Sequence, residues 1–182
     1  MSSSLGPIQG LHHFAYRCRD AEETRHFYED VLGLPLVGVI TQDRVPSTQE
    51  FAPHAHIFFQ MSDGSCLAFF DLGDGLPAEP SPNTPPWVNH LALRVDSLAA
   101  LENAMAKLRA AGVDVLGVTD HGPIKSIYFF DPNGIRLELT APVSSEPLFH
   151  GFGGSAHEQL AAWQQHKQQR HATSSGLAVC DS

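Results

Sequence analysis

Positive charge is scarce in this sequence: 11 Lys and Arg stand against 20 Asp and Glu, for a formal net charge of −9. Gripping a phosphate backbone takes clustered basic side chains, so no nucleic-acid partner is expected. Cysteine is scarce as well. Cys18, Cys66 and Cys180 are odd in number and widely spaced, which suits free thiols in a reducing compartment and not a disulfide framework. No apolar run approaches the roughly 20 residues needed to span a bilayer. The start, MSSSLGPIQG, lacks the basic and apolar segments of a signal peptide. Against these absences, 42% hydrophobic and 17% charged residues in a chain of 182 are globular values. The expectation is a soluble cytoplasmic protein with no membrane partner.

What is present is one pattern written twice. LHHFAYRC (Leu11–Cys18) alternates like a half-buried strand and leads into a helix. Asp20 is its expected cap, Phe27, Val31 and Leu32 its apolar stripe, and Gly33 its stop. VNHLALRV (Val88–Val95) leads likewise into a helix capped by Asp96, with Leu98, Leu101, Met105 and Leu108 inward and Gly112 at its end. Each copy then closes with a hairpin, HIFFQMSDGSCLAFF and SIYFFDPNGIRLELT, turning at S-D-G and D-P-N-G. The hairpins align without a gap, matching His56 to Ser126, Phe58 to Tyr128, Gly64 to Gly134 and Ala68 to Glu138.

The expected fold is therefore α+β. Two βαβββ modules, residues 8–74 and 88–142, are joined by a Pro-rich linker at 75–87 and followed by a tail at 143–182. That tail should hold one helix near 156–171 carrying His157, His166 and His171 beside Trp163, then a polar end that frays. Neither module buries both faces of its small sheet alone. Packed edge to edge, the two would form one curved, partly open mixed sheet with a concave cup inside and helices outside.

Period-two alternation assigns the faces. His13, Ala15 and Arg17 share one side of the first strand, and His90, Ala92 and Arg94 match them in the second module. Arg136, Glu138 and Thr140 share a side of the last strand, and Ser126, Tyr128 and Phe130 share a side of its partner. With the first strands near the centre, His13 and His90 would meet on the concave face with Glu138 in reach. Two imidazoles and a carboxylate on one arc are the ligand set of a non-haem Fe(II) site with open positions. A lone buried carboxylate without a cation or other partner would be costly. Phe58, Phe70 and Phe130 would wall the cup for a flat ring, and Arg17 or Arg94 would meet a substrate carboxylate or pair with an acid at the rim.

These residues resemble the vicinal oxygen chelate superfamily of glyoxalases, bleomycin- and fosfomycin-resistance proteins and type I extradiol ring-cleavage dioxygenases. The resemblance covers about Ile8 to Pro142. The extradiol signature reads here as His121, GPIKS, Ile127-Tyr128, FF, Asp131-Pro132-Asn133-Gly134, IRL, Glu138. It implies Fe(II) (Mn(II) or Zn(II) as substitutes) held by His13, His90 and Glu138. His121 and Tyr128 would be proton-handling groups beside it, and a catechol-like aromatic and O2 the substrates. A homodimer or higher oligomer is the expected assembly. Three departures stand out. The chain has one pair of modules where many such enzymes have two, and Ala15 replaces an Asn often found there. FDLGDGLPAEP also lacks the usual further acid–base His, for which His56 is the stand-in. The alternatives are a glyoxalase-type lyase or isomerase, whose fourth ligand would fall at Ala68, and a drug-sequestering protein of the same fold.

Overall fold

The computed structural model describes residues 8–144 and 155–177. Cys180 and the polar end lie outside them, and the side chain of His171 is not among those described. The chain divides into two compact units, Met1–Ser145 and Glu146–Ser182.

In the first unit both modules have the expected order. The first is β1 (His13–Cys18), α1 (Ala21–Arg25, continued by a π-helical turn at His26–Val31), β2 (Leu36–Arg44), β3 (Phe51–Gln60) and β4 (Cys66–Asp71). The second is β5 (Leu91–Arg94), α2 (Leu98–Ala110), β6 (Leu116–Asp120), β7 (Ile124–Phe130) and β8 (Arg136–Pro142). Strand order is β1-β4-β3-β2 in one sheet and β5-β8-β7-β6 in the other. In each, the first strand lies parallel to the last and the remaining neighbours are antiparallel. The α+β class and the repeated module stand as expected. The single sheet is resolved into two open four-stranded sheets, because each hydrogen-bond ladder closes within its own module.

The first strands of the modules start later than the alternation suggests. β1 begins pairing at His13 opposite Cys66, and β5 at Leu91 opposite Leu137, where the partner strands emerge from their turns. Helix α1 is capped by Asp20, whose carboxylate accepts the Glu23 N–H at 2.7 Å. The cap of α2 is Ser97, not Asp96: Ser97 has extended backbone and its hydroxyl reaches the Ala100 N–H at 3.2 Å, the bond a cap must make. Leu98, beside that cap, is exposed, while Leu101 and Leu108 are buried.

One core runs through both modules. Phe27, Tyr28, Phe59, Leu67 and Phe69 from the first join Leu101, Leu108, Ile127, Phe129, Leu137 and Leu139 from the second, with the Phe27 and Phe129 rings 6.3 Å apart. A buried polar tie reinforces it at the D-P-N-G turn. Tyr28, fully buried, donates its O–H to Asp131 at 3.0 Å. Asn133 accepts the Arg19 N–H at 3.0 Å and donates to the Thr24 hydroxyl at 3.2 Å. Asp131 also takes the N–H groups of Asn133 and Ile135. Its neighbour Gly134 sits at φ +80°, a left-handed position that glycine occupies without strain.

The second unit contains α3 (Ala156–Leu177), longer than the helix expected near 156–171. Ser155 and Glu158 cap it reciprocally: the Ser155 N–H donates to the Glu158 carboxylate at 2.7 Å, and the Ser155 hydroxyl accepts the Glu158 N–H at 3.2 Å. Trp163, half exposed, stacks on His166 at 5.4 Å.

Candidate metal and proton-transfer site

Strand β8 turns Leu137 and Leu139 toward the core and Glu138 to the other face, yet Glu138 is only 5% exposed. A carboxylate so covered needs partners, and β7 and the approach to β5 supply them. Ser126 on β7 is wholly buried and donates its hydroxyl to Glu138 Oε1 at 2.5 Å. His90, just before β5, faces Glu138 Oε2 through Nε2 at 3.1 Å. Its Nδ1 lies 2.9 Å from the Val88 carbonyl. A carbonyl only accepts, so Nδ1 carries a hydrogen and Nε2 is the nitrogen turned toward the carboxylate. A positive charge, whether a proton on Nε2 or a metal cation between the two, completes the pair. Such a donor set fits a divalent cation, with Val88 and Ser126 orienting the two ligands from behind.

Tyr128 is the direct cross-strand partner of Glu138. Its hydroxyl lies 2.7 Å from His121 Nε2, at the start of the loop between β6 and β7. Burial, and next the negative charge of Glu138, push the phenol above its ordinary value, so it keeps its proton at neutral pH. The Arg136 guanidinium covers the Tyr128 ring at 4.2 Å and donates to the Trp87 carbonyl at 2.7 Å, joining the end of the linker to the site.

The remaining expected site residues lie on the first sheet. His13 is exposed, with Nδ1 2.7 Å from Nδ1 of His12. Its ring packs edgewise on His56 and Phe58 at 5.8 and 5.7 Å. His56 stacks on Phe70 at 3.8 Å, and its Nε2 is buried without a hydrogen-bond partner among the described residues. Burial, then the neighbouring His13 and His54, hold this imidazole below its ordinary value and hence neutral. The structure thus gathers His90, Glu138, Tyr128 and His121 in one place, and His13 and His56 in another. Among the described residues, no three His, Cys, Asp or Glu side chains are grouped closely enough to hold a metal ion. Phe130, expected in the wall, is half exposed.

Two contributors had no role assigned from sequence, Ser126 and Arg136. Both stand two residues before a site residue on the same strand face, and that spacing was the available signal. A recess of about 610 Å³ lies beside the cluster and reaches it at His90 and Arg136; Phe14, Tyr16, Phe130, the D-P-N-G turn and the Pro-rich linker are among its walls.

Comparison with known proteins places this geometry in context. The sequence profile of the Glyoxalase/Bleomycin resistance protein/Dioxygenase superfamily matches residues 10–139. A 2,2',3-trihydroxybiphenyl dioxygenase of Sphingomonas paucimobilis is 30% identical over 159 residues, covering 86% of this chain and 45% of that protein. The chain spans less than half the length of the first curated relatives it matches, 45% and 40%. A glyoxalase/dioxygenase crystal structure from Nostoc punctiforme superposes with a TM-score of 0.59 at 24% identity, covering 79% of this chain and 99% of the other. The fosfomycin resistance protein FosX of Listeria monocytogenes, complexed with Mn(II) and sulfate, gives a TM-score of 0.53 at 19% identity, covering 85% and 99%.

Proposed function

The chain belongs to the glyoxalase/bleomycin resistance protein/dioxygenase superfamily, and from that premise we propose that it is an extradiol-type ring-cleaving dioxygenase acting on a catechol-like aromatic. The observation that carries the proposal is the meeting of Glu138 and Tyr128, on adjoining strands, with His90 and His121 from the neighbouring strand entry and loop of the same module. His90 and Glu138 would hold Fe(II); His13, the repeat counterpart of His90, is the third ligand that the family resemblance implies, and it stands apart from the pair in this structure. A ferrous ion so held supplies a chelation point for two vicinal oxygens and a route for electrons from the ring to O2.

The chain's own residues account for the rest. Ser126 fixes the Glu138 carboxylate so that one oxygen stays available. Tyr128, kept as a phenol, donates a hydrogen bond to a substrate oxygen. His121, with Nε2 on the Tyr128 hydroxyl, takes or returns a proton through it. His56, neutral and with an unpaired Nε2, is a second acceptor for a proton from the opposite sheet. In the overall reaction a carbon–carbon bond next to the diol breaks and both oxygen atoms enter the product. The ring supplies the electrons, so no external reductant is required.

The glyoxalase-type alternative is less well supported. The position of its fourth ligand is Ala68, fully buried opposite Phe58. To test the proposal, the protein is purified anaerobically, loaded with Fe(II) and given a panel of catechols. Oxygen uptake with a yellow ring-opened product is the expected result. Iron retained without turnover, together with Ni(II)- or Zn(II)-dependent conversion of a thiol adduct, would overturn it.

A further inference from the structure

We infer that the face bearing Glu138 also carries an anion subsite, formed by Arg94 and Thr140, and that the aromatic substrate bears a carboxylate on a short side chain. The inference rests on the ring-cleavage reading and adds a substrate class to it.

Register defines the subsite. On β5, Leu91 and Leu93 pack against the core, leaving Ala92 and Arg94 on the opposite, exposed face. On β8, Leu137 and Leu139 are buried in the core, leaving Glu138 and Thr140 on the opposite face. The strands pair Ala92 with Glu138 and Arg94 with Thr140. Arg94 and Thr140 therefore stand together, two residues along from the Glu138 carboxylate, or about 6.6 Å along the strand. That spacing accommodates an aromatic ring whose vicinal oxygens lie at Glu138 and whose side chain points toward Arg94.

Both residues have unmet hydrogen-bonding capacity. The Thr140 hydroxyl oxygen is buried and has no hydrogen-bond partner among the described residues. Such a group costs stability unless something completes it. Among the described residues Arg94 has no carboxylate, carbonyl or ring partner, whereas every other arginine with a described side chain has one. Arg17 pairs with Asp74, Arg19 with Glu23, and Arg25 with Glu22, Glu29 and Asp30. Arg44 lies over Phe51, Arg109 donates to the Val115 carbonyl, and Arg136 lies over Tyr128. In a chain with 20 acidic residues against 11 basic ones, an arginine left without an acid beside the site is available to a ligand. A carboxylate accepts two parallel bonds from a guanidinium and a third from a hydroxyl. Of the two arginines the alternation brings to the cup, Arg17 is already engaged by Asp74 and the Leu76 carbonyl, which leaves Arg94.

The test uses the full chain and two matched probes, 3-(2,3-dihydroxyphenyl)propionate and 3-propylcatechol. Calorimetry under anaerobic conditions, with Zn(II) in place of iron, measures binding apart from turnover. The unsubstituted protein should bind the carboxylated probe at least roughly tenfold more tightly than the neutral one, the strength of one charge-assisted contact. Arg94→Gln should abolish that ratio, Arg94→Lys should keep part of it, and Thr140→Val should reduce it by a smaller factor. A circular dichroism melt of each variant shows whether it is folded. A ratio near one in the unsubstituted protein, or one unchanged in a folded Arg94→Gln variant, would overturn the subsite. Oxygen uptake with Fe(II) is measured separately. Charge discrimination without turnover of either probe would sink the dioxygenase reading and leave the subsite standing. Equal turnover of both probes, unaffected at Arg94, would do the reverse.

Discussion

Single side chains set the chemistry, and two predictions belong at that scale. Ser126→Ala removes the hydroxyl that fixes Glu138, so metal affinity should fall about 10–100-fold, as for other partners that orient a ligand. Glu138→Ala should abolish metal binding, whereas His121→Ala should leave metal content intact and slow turnover; metal content by atomic emission separates the cases. Cys18 gives the second prediction. It is 1% exposed, and burial pushes its thiol up to about 11 from an ordinary 9.0. The native state therefore keeps a proton that the unfolded state gives up. The resulting stability is present below pH 9 and is lost as pH rises through about 11. Iodoacetamide at pH 8 should label partly exposed Cys66 well before Cys18, and equal rates would refute the assignment. The correspondence between the modules was legible beforehand. The repeat alignment matched Phe58 with Tyr128 and Ala68 with Glu138, and the structure places them at equivalent positions, Phe58 opposite Ala68 in one hairpin and Tyr128 opposite Glu138 in the other. The placement of His13 relative to His90 was not legible, because it depends on how two modules pack, which local alternation does not encode.

The two hairpin turns look alike in sequence and are stabilised differently. In the first, Asp63 accepts the backbone N–H and the hydroxyl of Ser65, its near neighbour. In the second, Asp131 and Asn133 reach Tyr28, Thr24 and Arg19, more than a hundred residues earlier in the chain. Asn133→Ala leaves the part-buried Arg19 N–H without its acceptor and removes the amide donor to the Thr24 hydroxyl, which keeps its own bond to the Asp20 carbonyl, and should cost about 2 kcal/mol. Asp63→Ala should cost about 1 kcal/mol or less, since water can replace its partners. Urea denaturation of both variants provides the comparison, and similar costs would show that the tie contributes nothing. The turn itself was readable from D-P-N-G. Its partners were not, because nothing in a short motif names side chains so distant in sequence. The caps behaved similarly: Asp20 was identified correctly, while Asp96 lies one residue before the true cap, Ser97.

At the scale of the whole first unit, the continuous core implies one unfolding event. Phe129 is 1% exposed and lies against Phe27 of the other module. Phe129→Ala should cost about 3–5 kcal/mol and lower the melting of both modules together, so fluorescent probes placed in each should report one shared midpoint. Separate midpoints would show that the modules are thermodynamically independent. No helix among the described residues is long and apolar enough to cross a membrane. The tie at the D-P-N-G turn has a further consequence. Its bonds require Tyr28, Thr24 and Arg19 from one module and Asp131 and Asn133 from the other, but not that both come from the same polypeptide. Residues 75–87 keep the pairing intramolecular by keeping the two halves at high effective concentration. Shortened past its reach, that stretch would drive two chains to exchange modules and rebuild the same joint twice across a dimer.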